Sequence, residues 1–325
     1  MIKPSNLVTV IIATYNRADK LPDAIESVLN QTYQFVQILV IDDGSTDNTV
    51  EILKKYPSIE YHYKENGGQA SARNVGFKYA KGSIIATLDS DDIWYPDFLT
   101  RSVEKLESEN LDFVFTNWDQ QTIDGKVIDF LMNDDALIPY NNRVKNDWIN
   151  LESDELRALY IDTCPAPSSS VIMRKSSIIS GWDERIHIGD DWCLYLETIL
   201  SKEARVAYTL DRLWLKRLDE INVYDGRKRS EILEFLYIAD LEIKIEKFKD
   251  VLRKNELRIF QKRYMLSLVE LAKHNLLREF EFAHAIKLLR RSFKLDIAYT
   301  FRAMPIIFMK SFRTKILDKL KTNRS

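Results

Sequence analysis

Three carboxylates packed into four positions, Asp89-Ser90-Asp91-Asp92, follow directly on the apolar run Ile84-Ile85-Ala86-Thr87-Leu88. Like charges this close repel one another unless a cation sits among them. A hard divalent cation, Mn²⁺ or Mg²⁺, is the natural partner, because it takes carboxylate oxygens and completes its shell with water and substrate phosphates. The residues also have a plain structural use, since Asp92 lies just before the helix-start signal Tyr95-Pro96-Asp97. A short acidic motif recurs without function, so the rest of the chain has to decide between metal site and cap. A second acidic stretch, Asp42-Asp43-Gly44-Ser45, ends another apolar run. An acid in that place matches the residue that dinucleotide-binding folds aim at a ribose hydroxyl, which points to a nucleotide.

The elements that would position these acids follow from hydrophobic periodicity. Residues 7–13, 35–41, 59–63, 83–88 and 112–116 read as short strands. Between them lie helical patterns, with Leu21, Ile25, Val28 and Leu29 on one face of the first and Val50, Ile52, Leu53 and Tyr56 on the second. Residues 70–80 and 96–109 supply two more helices. Strands alternating with helices imply βαβ units and a mainly parallel sheet with helices on both faces. The loops at 14–17, 42–45, 66–68 and 89–92 then fall at strand carboxyl ends and converge on one crevice. No Gly-x-Gly-x-x-Gly and no Walker sequence is present, so a pyrophosphate there needs positive charge from elsewhere, and a metal on Asp89 and Asp91 would provide it.

After Asn117 the regularity fails. Residues 122–128 read as a hairpin around Asp124-Gly125, and the polar stretch to 150 reads as irregular. A helix over 152–161, a strand over 169–173, a helix over 191–200 and a last strand over 213–218 follow. From about Arg229 the pattern is helical throughout, with Ile232, Phe235, Leu236 and Ala239, then Met265, Leu268, Val269 and Ala272, at helical spacing. The expected division is a catalytic domain over 1–225 and a helical, basic region over 226–325.

Composition is that of a folded protein: 325 residues, 45% hydrophobic and 30% charged, with few glycines and prolines. The two cysteines, Cys164 and Cys193, read as reduced packing residues, and with neither a signal-peptide pattern nor a membrane-length apolar run the expected location is cytoplasmic. The formal charge of −2 hides an asymmetry, because from Lys287 onward eleven basic residues face only Asp296 and Asp318. A basic end on an acidic body fits an anionic partner.

The motifs carry a resemblance. Residues 8–17 (Val-Thr-Val-Ile-Ile-Ala-Thr-Tyr-Asn-Arg), 40–47 (Val-Ile-Asp-Asp-Gly-Ser-Thr-Asp), 67–76 (Gly-Gly-Gln-Ala-Ser-Ala-Arg-Asn-Val-Gly) and 88–92 (Leu-Asp-Ser-Asp-Asp) resemble, in order and spacing, the consecutive motifs of family 2 glycosyltransferases of the GT-A fold. The likeness is strong over 5–116, weaker to about 218 and generic beyond. It implies a donor site formed by Ala13, Thr14, Tyr15, Arg17, Asp43, Gly68, Arg73, Asp89, Ser90 and Asp91. Within it Ala13, Tyr15 and Asp43 would hold the base, and Asp89 and Asp91 would hold ribose and a metal-bound pyrophosphate. Against these roles stand turn formation with Gly44 for Asp43 and core packing for Tyr15.

The family's general base lies in an acidic pair after a Gly-Phe-Asp-Glu-like segment. Here Gly181-Trp182-Asp183-Glu184 precedes Gly189-Asp190-Asp191-Trp192, which assigns the base to Asp191, with helix capping as the competing use of both acids. Arg217 stands where relatives have Arg-x-His near the product phosphates, but position 219 is Asp. Trp94, Trp182 and Trp192 are candidates for stacking on acceptor sugars, with apolar burial the commoner fate of tryptophan.

The resemblance thus implies a metal-dependent, inverting transferase using Mn²⁺ or Mg²⁺. It would move a sugar from a nucleotide-diphosphate donor, UDP-linked, to a saccharide or lipid-linked saccharide in cell-surface polysaccharide synthesis. A nucleotidyltransferase and a noncatalytic nucleotide-sugar binder are the competing classes. The first expects a glycine-rich, lysine-bearing loop that residues 14–20 lack, and the second expects loss of the acids that are present. Nucleic acid is not an expected partner. The segment 303–313, apolar with flanking cations, is expected either to lie peripherally on the inner face of the plasma membrane or to pack on the catalytic domain.

Overall fold

The computed structural model describes residues 6–218 and 226–305. The chain folds as two compact units, 1–225 and 226–325. The first unit opens with β1 (Val8–Thr14), α1 (Leu21–Leu29), β2 (Val36–Asp42), α2 (Thr49–Leu53), β3 (Glu60–Tyr63), α3 (Gln69–Tyr79) and β4 (Ile84–Asp89). Then come β5 (Ile93–Trp94), α4 (Phe98–Ser108), β6 (Phe113–Gln121), β7 (Val127–Asp129), α5 (Ile138–Asn141), β8 (Trp148–Leu151) and α6 (Ser153–Asp162). It closes with β9 (Val171–Arg174), α7 (Asp190–Ser201) and β10 (Val206–Arg217).

All ten strands join one sheet in the order β3-β2-β1-β4-β9-β6-β10-β5, with β7 on β6 and β8 on β10. β3, β2, β1 and β4 run parallel, as do β6 and β10, while β9 runs antiparallel to both β4 and β6. From Val8 to Ile12 every residue of β1 is buried, so both faces of the sheet are covered there. The architecture is the α/β, GT-A-like one with a mostly parallel, mixed sheet. The chain leaves β1 toward β2 on one side and returns to β4 on the other, which makes the carboxyl ends of β1 and β4 a topological switch point. Strand register sets Ala13 beside Asp89 and Thr14 beside Asp42.

α3 reaches this point because it can lie close on β1. A Cβ at Gly76 would stand 2.5 Å from Cγ2 of Ile11, so only glycine admits that approach. Its start is set by Gly68, whose φ of +88° costs a side-chain-bearing residue strain.

The region after Asn117 is more ordered than the sequence implies. β6 runs on to Gln121, the hairpin forms around Gly125 at positive φ, and β8 adds to β10 antiparallel. The strand expected over 213–218 is the end of the twelve-residue β10, which bulges between Thr209 and Trp214.

The second unit is helical: α8 (Arg229–Glu234), a wide π turn, α9 (Asp240–Phe248), α10 (Lys254–His274), a second π turn and α11 (Phe282–Leu295). Leu241, Phe260, Leu268, Val269, Ala272, Ala285 and Leu288 form its core. Helical residues 297–305 follow α11. Most of the segment 303–313, position 219 and the tail from 306 lie outside the described residues. Among the described residues no helix is long and apolar enough to cross a membrane.

Candidate active site

The four loops at the switch point are tied to one another by polar contacts. Asp43 N donates to Thr14 O at 2.9 Å, Asn16 N to Ser45 Oγ at 2.9 Å and Thr46 N to Asn16 Oδ1 at 2.8 Å. The Asp43 carboxylate accepts from Gly67 N at 3.0 Å, Gly68 N at 2.7 Å and Lys64 Nζ at 2.6 Å. Asp43 therefore orders the glycine turn before α3. Its neighbour Asp42 is wholly buried, accepting from Ser45 N and Tyr61 Oη, and has a structural use. Tyr15 is 49% exposed, so it does not take the packing role open to an aromatic at a strand end.

The acid loop after β4 sets three carboxylates against the cations Arg17, Lys20 and Arg73. Burial, then the nearby Asp89 carboxylate, pushes Asp91 up, although Arg17 at 3.3 Å and Lys20 pull the other way. Burial and both neighbouring acids raise Asp92 further, despite its hydrogen bond from Ser169 Oγ at 2.6 Å. Arg217 Nε donates to the Asp91 carbonyl at 2.7 Å, and Arg217 Nη1 meets Asp23 at 2.6 Å. Two hard carboxylates, Asp89 half-exposed and Asp91 nearly buried, fit a Mg²⁺-type ion that takes most of its ligands from water and phosphate. Among the described residues no group of three or more metal-ligating side chains gathers, so a dedicated all-protein cage is not what these acids form.

Arg73, on α3, joins the acid loop to the acidic pair of α7. It is buried, and its Nη2 meets Asp89 Oδ1 at 2.8 Å while its Nη1 meets Asp190 Oδ2 at 2.6 Å and Asp191 Oδ1 at 3.4 Å. Burial disfavours its charged form, and Asp191, Asp190 and Asp89 together outweigh that and raise it above its ordinary value. Arg73 thus serves as a hub between acids.

The two acids of α7 have different surroundings. Asp190 is fully buried and accepts from Arg73 and from Gln69 Nε2 at 2.6 Å. Burial, against the pull of Arg73 and with the push of Asp191, raises its carboxyl to about 7. Asp191 retains 16% side-chain exposure. One of its oxygens accepts from Ser168 Oγ and the other from Trp182 Nε1 at 3.1 Å. Both lie at the first turn of α7, where the positive end of the helix dipole favours them.

Sequence reasoning missed Ser168, Ser169 and the polar use of Trp182. Ser168 and Ser169 sit in the turn before β9, which the β4–β9 pairing brings across to the acids. The three tryptophans weighed for stacking on sugar take the commoner fate of burial and are hydrogen-bonded: Trp94 Nε1 to Ser169 O, Trp192 Nε1 to Tyr160 O, and Trp182 Nε1 to Asp191. An apolar ring with one polar edge is buried where that edge finds an acceptor.

Comparison with known proteins identifies the family and the fold. The glycosyl transferase family 2 model matches residues 9–178, and the chain belongs to that family. It is 39% identical over 115 residues to the Escherichia coli UDP-Glc:alpha-D-GlcNAc-diphosphoundecaprenol beta-1,3-glucosyltransferase WfaP, a stretch covering 34% of this chain and 46% of that one. The fold is similar to that of S. aureus TarS 1-349 in complex with UDP-GlcNAc, with a TM-score of 0.59 at 16% identity over 95% of this chain and 92% of that one. It is also similar to the mannosyltransferase PcManGT from Pyrobaculum calidifontis in complex with GDP-Man and Mn2+, with a TM-score of 0.56 at 17% identity over 97% and 89%. The chain spans 26% to 59% of the length of the curated relatives it matches.

Proposed function

We propose that this protein is a glycosyltransferase that moves a sugar from a UDP-linked donor to a saccharide hydroxyl with inversion. The observation that carries the reading is the division of labour at α7. Asp190 is buried and committed to Arg73, whereas Asp191 keeps an exposed edge and is oriented by Ser168 and Trp182.

Asp191 accepts the proton of the acceptor hydroxyl as that oxygen bonds to the anomeric carbon. The bond from that carbon to the diphosphate breaks, and its electron pair leaves with the nucleoside diphosphate. Attack from the face opposite the leaving group gives inversion, and no covalent enzyme intermediate is required. Ala13, Thr14, Tyr15 and Asp43 line the base and ribose end, Arg17, Gly68 and Ser90 lie toward the phosphates, and Asp89 and Asp91 would hold Mn²⁺ or Mg²⁺. When bound, the ion supplies Lewis-acid stabilisation of the charge on the departing diphosphate. Arg73 fixes Asp89 and the α7 acids in one frame. The likeness to WfaP and to UDP-GlcNAc-bound TarS supports the UDP-linked donor, and WfaP's name supports a lipid-linked saccharide acceptor in surface polysaccharide synthesis. The Mn2+ in PcManGT supports the choice of ion.

The test is a panel of labelled nucleotide sugars with Mn²⁺, comparing wild type with Asp191→Asn and Asp91→Asn. The expected result is donor binding without transfer for Asp191→Asn and loss of metal-supported binding for Asp91→Asn. Undiminished transfer by either variant contradicts its assigned role.

A further inference from the structure

We propose that the second unit carries a lipid-facing surface, built from the turn before α11, α11 itself and helical residues 297–305, that fits an anionic membrane leaflet. This goes beyond sugar transfer and does not rest on it. α11 turns Ala285, Leu288 and Ser292 inward and leaves Phe282 and Ile286 outward, 57% and 48% exposed. One helical step on, Ile297 and Phe301 are also exposed, and the Phe301 ring meets Phe293 edge-on with centroids 4.9 Å apart. Phe280, at the turn into α11, is 70% exposed and has a φ of +59°, a conformation that costs a bulky residue strain. Isolated exposed apolar residues are ordinary, but this many along one short stretch mark a binding surface.

The charges among them say what kind. Lys287, Arg290, Lys294 and Arg302 are exposed, and among the described residues no carboxylate pairs with any of them. From 282 to 302 the sequence has five basic residues against one acid. The centre of a protein–protein interface is depleted of charge, whereas here exposed cations alternate with aromatic and aliphatic side chains. That alternation suits a helix lying in the headgroup layer. Its apolar side chains enter the acyl boundary, and lysine and arginine stems reach up so that their charges meet lipid phosphates. At 14 residues α11 is too short to span a bilayer, so it lies on the membrane.

The experiment is co-sedimentation of the full chain with phosphatidylcholine vesicles, with and without phosphatidylglycerol. The wild type is expected to sediment with the anionic vesicles, to release as salt is raised, and to stay in solution with phosphatidylcholine alone. Since each cation near an anionic leaflet contributes about fivefold in partitioning, Lys287→Gln/Arg290→Gln/Lys294→Gln should lose about a hundredfold. Phe282→Ser/Ile286→Ser/Phe301→Ser should also weaken binding, and both variants should keep the wild-type melting transition. Wild-type binding that ignores phosphatidylglycerol and salt, or no binding at low salt, overturns the proposal. So does a triple-glutamine variant that binds like wild type, because the basic residues beyond 305 would then account for the attachment.

Discussion

Arg73 and Asp190 form a buried ion pair, Nη1 to Oδ2 at 2.6 Å, in which the carboxylate has no solvent exposure and the guanidinium side chain only 3%. A charge at such depth is tolerable only while its partner stays in place, and Arg73 also answers Asp89 and Asp191. Arg73→Met, which keeps the length and removes the charge, should therefore lower the unfolding free energy by about 3–5 kcal/mol. Adding Asp190→Asn should restore part of that loss, because the second change removes the charge left stranded by the first. Urea unfolding of both single variants and the double variant checks this. Strictly additive losses would mean that the pair does not act as a unit.

Trp182 offers a prediction about catalysis. Its indole N–H points at the Asp191 oxygen that Ser168 does not hold, while its backbone is fixed separately by Asn74 through bonds of 2.8 and 2.9 Å. Trp182→Phe keeps a ring in the pocket and deletes only that donor. A hydrogen bond to a charged group contributes about 1.5–3 kcal/mol, so kcat should fall about tenfold to a hundredfold if Asp191 is the base. The donor KM should stay within about twofold, because the deleted donor serves Asp191. A raised donor KM at unchanged kcat would assign Trp182 to packing alone.

Particular residues explain what the sequence did and did not reveal. The loops after β1, β2 and β4 were legible because each follows a run of buried β-branched or aliphatic residues, and the one after β3, a strand with no buried residue, because of the glycine pair that ends it. β10 was half hidden because Asp211 and Arg212 interrupt its apolar run at the bulge. β8 escaped because Asn146 and Asp147, both at positive φ, give its entry the look of a loop. The clamp on Asp191 joins a turn 23 positions before it to a tryptophan nine before it, and only the folded sheet brings those together. Long-range hydrogen-bond partners leave no local signal, whereas strand and helix periodicity does.

Asp112 sets a pH dependence of stability well away from the site. It accepts from Lys202 Nζ, from Ser177 Oγ at 2.7 Å and from Arg205 N at 2.8 Å, tying the start of β6 to the loop between α7 and β10. Burial alone would raise its carboxyl, and the hydrogen bonds from Lys202, the Arg205 backbone and Ser177 outweigh burial and lower it. A carboxyl held below its unfolded value, about 3.9, contributes stability that is fully present above that value and disappears as pH falls through the lowered folded one. Asp112→Asn should therefore shift the urea midpoint downward at pH 7, and the gap to wild type should close as the pH is taken below about 4. Measuring both proteins across that range decides it, since a gap that persists unchanged into acid would mean that the variant loses shape rather than charge.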